Sequence, residues 1–221
     1  MNDTHATMAR ALRQALDIEP TMELFREPVT KPQSLPELYE KIHNCTKCAL
    51  GFSRTNFVFG VGNPKAEILF IGEAPGRDED LKGEPFVGRA GQLLDKMLAA
   101  IELDRTQIYI ANILKCRPPE NRDPLPEESE SCLPHLAEQI RIIGPKFIVC
   151  LGRIAAQILL DTKTPISKLR GHWYEFGNAK MLVTFHPAAL LRNPEWKRDS
   201  WEDLKDLRRQ FDKYHNRPSK F

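Results

Sequence analysis

Four short runs of the chain are apolar almost without interruption: AEILFIG over 66–72, QIYIANIL over 107–114, KFIVCLG over 146–152 and KMLVTF over 180–185. None alternates between apolar and polar positions, so each predicts a strand buried on both faces. The stretches around them carry helical spacing: GRAGQLLDKMLAAI (88–101), PEESESCLPHLAEQIRII (126–143), RIAAQILLD (153–161) and WKRDSWEDLKDLRRQFDKY (196–214). An earlier helix is predicted through LPELYEKIHN (35–44), with Ser34 as its cap and Pro36 in its first turn. Strands alternating with helices argue an α/β fold, a parallel sheet covered by helices on both faces. In such sheets ligands bind beyond the carboxyl ends of the strands. Every unusual cluster in this chain follows a strand.

Before residue 35 the pattern is weak and interrupted by Pro20, Pro28 and Pro32. Residues 1–34 therefore read as a leader with at most a short helix, and 35–221 as one domain. A chain of 221 residues with 41 % hydrophobic side chains can bury a substantial core. No apolar run approaches the roughly 20 residues that span a bilayer. The first residues carry Asp3, Arg10 and Arg13 and no uninterrupted apolar centre, so no secretory signal is expected and the cytoplasm is the expected location. The net charge of +2 does not announce nucleic acid. Between Lys205 and Phe221 six Lys or Arg stand against two Asp, which suits a solvated helix end as well as a phosphate contact.

In a cytoplasmic chain the five cysteines are metal ligands or buried small hydrophobes rather than disulfides. Cys150 lies within FIVCLG and reads as core. Cys45 and Cys48 form a C-x2-C pair at a helix end, Cys116 follows the second strand in KCRPP, and Cys132 lies in a helix. Four such ligands suit structural zinc or an iron–sulfur cluster. Their origin in separate segments, and a cysteine close to proline, lean towards the cluster.

Three loops carry the candidate chemistry. After the first predicted strand comes GEAPGRDEDLKGEPFVGRAG, a tight turn that lacks both the dinucleotide and the P-loop glycine patterns. Asn112 ends the second strand, and His186 follows the fourth in HPAALLR. An aromatic loop, an amide and an imidazole thus meet at one sheet edge.

GEAPG-x2-ED-x2-G-x-PFVGRAG, N-x3-C-RPP-x-NR, HPAALLR and the four-cysteine spacing together resemble the family-4, iron–sulfur uracil-DNA glycosylases, over about Leu35 to Tyr214. The resemblance implies a single three-layer α/β/α domain with a central four-stranded parallel sheet. It also implies a [4Fe–4S] cluster on Cys45, Cys48, Cys116 and Cys132, and monofunctional hydrolysis of uracil from single- or double-stranded DNA in base excision repair. A monomer acting on DNA, without membrane contact, is expected.

Residue by residue, the resemblance assigns Asn112 to the Watson–Crick edge of a flipped uracil and Phe86 to stacking on it. It places Glu79 beside C5, where thymine carries a methyl. His186 is assigned to O2, where negative charge gathers as the bond breaks. Leu190 is the expected wedge into the base stack, and Arg192 a contact to a flanking phosphate. Better-known uracil glycosylases position water with an Asp that the proline register aligns with Ala74. Glu73 is therefore the candidate for orienting water, or else a brace for its loop. A relative that bonds the sugar through a His in an inserted basic loop is disfavoured, because ILKCRPPENRDP shows no insertion. A non-catalytic DNA-binding protein with a structural four-cysteine metal site is the remaining alternative. It would have no use for Asn112, Phe86 and His186 together.

Overall fold

The computed structural model describes residues 31–221, so the short helix expected in the leader lies outside the described residues. The first element of the described residues is α1 (Leu35–Ile42), whose N-terminus is capped as expected: Ser34 Oγ accepts from the Glu37 N–H at 3.4 Å. A short helix, α2 (Leu50–Ser53), follows, and then β1 (Val61–Gly62) and β2 (Ile68–Gly72). Next come α3 (Arg77–Lys82), α4 (Arg89–Ala100), β3 (Tyr109–Asn112), α5 (Pro126–Ile143) and β4 (Phe147–Leu151). The chain continues through α6 (Arg153–Leu160), α7 (Ile166–Leu169), β5 (Trp173–Phe176) and β6 (Ala179–Thr184). It closes with α8 (Pro187–Arg192) and α9 (Lys197–Tyr214).

The four apolar runs become β2, β3, β4 and β6, which pair in parallel in the order β3-β2-β4-β6. Among the described residues the sheet nevertheless has six strands rather than four, because antiparallel β1 and β5 extend its two edges. The edge strands give little hydrophobic signal. β1 is two residues long, and a Cβ on Gly62 would lie 2.1 Å from the Ile108 carbonyl oxygen, so the close pairing needs glycine. β5 is half-exposed and joins β6 through a two-residue turn at Gly177 and Asn178, with Gly177 at φ 55°.

A separate hydrophobic cluster covers each face of the sheet. One joins α1, α5, α6 and α7 to it through Leu38, Leu136, Leu159 and Leu169; the other joins α4 and α9 through Leu94, Leu98, Leu204 and Leu207. This is the expected three-layer α/β/α arrangement. Among the described residues no helix is long and apolar enough to cross a membrane. The basic C-terminal stretch is largely tied up internally: Arg208 pairs with Asp212, Arg209 with Asp206 and Lys220 with Glu102.

Candidate active site

At the carboxyl ends of the parallel strands lies a cleft of about 560 Å³ lined by Glu73, Ala74, Glu79, Phe86, Asn112, His186 and Arg192, among others. Register brings the first of these together. Gly72 ends β2 directly beside Asn112 at the end of β3, and the pairing runs on into the loops, with the Ile113 and Leu114 N–H groups donating to the Gly72 and Glu73 carbonyls. Gly72 itself is required by crowding: a Cβ there would stand 2.4 Å from Asn112 Oδ1 and 2.7 Å from the Phe86 ring.

Asn112 is buried at 2 % exposure, and its Oδ1 has no hydrogen-bond partner among the described residues. A buried acceptor left in this way costs about 1–3 kcal/mol. The atom stands at the cleft wall beside Phe86 and Gly72.

Phe86 is held under strain. Its φ of 55° is unusual for a bulky residue and costs on the order of 1–3 kcal/mol. The surrounding groups enforce it. Arg105 donates to the carbonyls of Pro85 and Phe86 and pairs with Asp95 at 2.7 Å. Gly91 leaves room for the Phe86 carbonyl, where a Cβ would approach to 1.7 Å. From the other side Glu79 Oε1 accepts from the Val87 and Gly88 N–H groups at 2.9 and 3.0 Å. Glu79 therefore lines the cleft and also clamps the aromatic loop. Arg105 carries no chemical signature in the sequence, and only the fold reveals its part.

His186 caps α8, its Nδ1 accepting from the Ala188 N–H at 3.1 Å. With Nδ1 an acceptor, the neutral ring carries its proton on Nε2. Burial, reinforced by the Arg192 charge, pushes the imidazole down to about 4, so it is neutral at physiological pH. Its ring centroid lies 5.4 Å from that of Phe86.

Glu73 is pushed up to about 7, first by burial and then by the nearby Asp123 charge, with Arg153 and Arg192 acting in the opposite sense. Asp123 is paired with Arg153 at 2.6 Å. Neither member of this pair at the cleft wall stands out in the sequence. Ala74 sits in the wall beside Glu73, and Arg192 is exposed at its rim. Leu190 is placed differently from expectation. It is buried at 1 % exposure, whereas Leu191 is 38 % exposed. A wedge must project beyond the protein surface, and in this conformation Leu190 does not.

The four candidate ligands gather on the sheet face covered by α1 and α5. Cys116 and Cys132 are buried, Cys45 and Cys48 half-buried. Burial pushes the Cys132 thiol up to about 12, with Cys116 and Cys45 adding to the effect, and Cys116 is raised in the same way with Cys48 and Cys45 contributing. Cys116 thus lies within electrostatic range of Cys45, Cys48 and Cys132, and Cys132 also of Cys45. N–H groups surround them: Arg54 Nη1 donates to Cys116 Sγ at 3.2 Å, the Lys115 main-chain N–H donates to Cys132 Sγ at 3.3 Å, and His135 Nε2 lies 3.3 Å from Cys45 Sγ. Arg54 also holds the Cys45 and His43 carbonyls. Among the described residues no three His, Cys, Asp or Glu converge in the manner of ligands to a single metal ion. Cys150 is apart, buried in β4 against Met181.

Residues 59–205 match the family model described as the uracil DNA glycosylase superfamily. The chain is 51 % identical to the Type-4 uracil-DNA glycosylase of Archaeoglobus fulgidus over 183 residues, covering 79 % of this chain and 92 % of that one. It is 46 % identical to the Type-4 uracil-DNA glycosylase of Sulfurisphaera tokodaii, over 79 % and 84 % of the two chains. For that of Thermotoga maritima the figures are 44 %, 79 % and 93 %.

Proposed function

From the premise that this chain belongs to the uracil DNA glycosylase superfamily, we propose how its cleft removes uracil from DNA. The observation that carries the reading is the buried, unpartnered Oδ1 of Asn112 beside the Phe86 ring. Uracil presents N3–H as a donor and O4 as an acceptor, and one primary amide satisfies both. Cytosine reverses the two groups and leaves buried polar atoms opposed, a strong basis for rejection. Phe86 stacks on the flipped base, with its strained loop fixed in advance by Arg105 and Glu79.

The bond from C1′ to N1 breaks with its electron pair leaving on uracil, and the charge that collects on O2 is met by the Nε2–H of His186. Glu73, beside Ala74, accepts a proton from the water that attacks C1′. Arg192 at the rim suits a flanking phosphate.

The reading predicts release of free uracil from a uracil-containing oligonucleotide, with strand breaks appearing after alkali. Asn112→Asp should lower uracil cleavage by at least roughly tenfold and raise the relative cleavage of cytosine, since a neutral Asp can donate towards cytosine N3. Unchanged uracil cleavage in that variant would remove Asn112 from the site.

For the cysteines we propose a [4Fe–4S] cluster on Cys45, Cys48, Cys116 and Cys132. The donor set suits it: Cys116 and Cys132 are buried, Cys45 and Cys48 half-buried, and N–H groups of the kind that stabilise thiolate sulfur reach Cys45, Cys116 and Cys132. When bound, it supplies a covalent tie between the α1–α2 connection, the end of β3 and α5. Cys116→Ala or Cys132→Ala should lower iron content and thermal stability together. A loss of about 4 kcal/mol would lower Tm by roughly 10 °C in a domain of this size. Cys150→Ala should leave the iron content unchanged. Iron lost from that variant instead would reassign the ligands.

A further inference from the structure

Lys115 is fully buried, at 0 % exposure, and none of the ion pairs among the described residues includes it. Its ammonium donates to two neutral oxygens, the Asn112 main-chain carbonyl at 2.8 Å and Gln139 Oε1 at 2.6 Å. Gln139 is fixed in turn, its Nε2 donating to the Phe59 carbonyl at 2.9 Å. A buried cation without an anion is heavily penalised, and proteins seldom keep one unpaired. Burial pushes Lys115 down to about 8, and Cys132 and Cys116, ionised as cluster ligands, are the neighbours that act against that shift. The same residue's main-chain N–H already points at Cys132 Sγ.

Lys115 also touches the base-reading residue. The peptide joining Asn112 to Ile113 is clamped at both polar ends: the Ile113 N–H donates to Gly72 at 2.9 Å, and the Asn112 carbonyl accepts from Lys115. Rotation of that peptide would swing the Asn112 amide away from the cleft. One residue thus touches both places: its main-chain N–H bonds Cys132 of the four-cysteine site, and its ammonium holds the backbone that aims the amide.

We propose that Lys115 is the buried counter-ion of the four-cysteine site and the positioning residue for Asn112, so that loading of that site and selectivity for uracil are linked through one side chain. The inference rests on the cluster reading given above. Four thiolates outweigh the positive charge of an iron–sulfur core, so the loaded site is net negative and holds the ammonium in place. With the charge gone, Asn112 keeps its identity but loses one of the two anchors of its peptide.

The test compares Lys115→Met and Lys115→Arg with the unaltered full chain, all purified as loaded protein. Iron and sulfide per chain, the midpoint potential, circular dichroism and single-turnover cleavage of uracil and cytosine substrates are measured. Lys115→Met should lower the potential, because adding an electron is harder without the neighbouring positive charge. It should also lower the uracil-to-cytosine preference roughly tenfold, with DNA affinity little changed, a size usual for a residue acting through another. Lys115→Arg should recover most of the potential. An unaltered potential in a fully loaded Lys115→Met overturns the counter-ion role, and an unaltered preference overturns the positioning role. If Lys115→Met is obtained without iron, a loaded Lys115→Arg supports the counter-ion and an iron-free Lys115→Arg overturns it. Absence of iron from the unaltered protein would instead remove the cluster reading itself.

Discussion

Glu73→Gln is expected to slow single-turnover uracil cleavage by roughly a hundredfold or more while making the folded protein more stable above neutral pH. The two effects share one cause. Burial and the Asp123 charge push Glu73 up from 4.5 to about 7, which amounts to about 3 kcal/mol set against its ionised form. Between those values the folded state binds the proton that the unfolded chain has released. Stability therefore falls as pH rises from about 4.5 to 7, and the full penalty stands above 7. Glutamine removes the penalty but cannot accept a proton from water, and general bases typically contribute about 10²–10⁴ in rate. The unaltered enzyme should gain rate with pH up to about 7 and then level off, and the variant should show no such rise. Denaturation midpoints on either side of that rise, at about pH 5 and about pH 8, together with the pH–rate profile decide the matter. A variant that keeps both the rate and the rise would leave Glu73 as a brace for its loop.

The contrast between core and edge explains how far the sequence was legible. The strands β2, β3, β4 and β6 are buried on both faces, and such strands must be continuously apolar, so their positions follow from composition alone. β1 and β5 lie at the edges, where one side needs no apolar cover, and glycine contacts and a tight turn fix them instead. The cleft followed the same division. Glu73, Asn112 and His186 were legible because each lies at or just beyond the end of a strand that the apolar runs locate. Arg105 and Lys115 were not, since each is far in sequence from what it holds or reads as an ordinary surface cation. A lysine in KCRPP gives no sign of being fully buried. Leu190 shows the converse limit. Matching a motif assigned it a place in the base stack, but the register of one short helix turns it inward and Leu191 outward.

His186→Ala should lower the single-turnover rate by roughly a hundredfold to a thousandfold, as loss of one preorganised donor to a developing oxyanion typically does. The geometry makes the ring a neutral donor rather than a cation. Nδ1 is committed to the Ala188 N–H, so the proton sits on Nε2, and burial with the Arg192 charge holds the second protonation down to about 4. Rate should therefore not fall as pH rises through 6.5, the value at which an ordinary histidine would lose its proton. The charge that His186 is proposed to meet exists only as the bond breaks, so DNA affinity should change little. One complication is structural: His186 also caps α8, and an alanine cap costs about 1 kcal/mol. His186→Asn separates the two effects, because asparagine caps well but is too short to place a donor where Nε2 stood. Both variants should lose rate to a similar extent, with Tm lowered mainly in His186→Ala. Recovery of the rate in His186→Asn would make His186 a cap for its helix, and loss of affinity without loss of rate would make it a DNA contact.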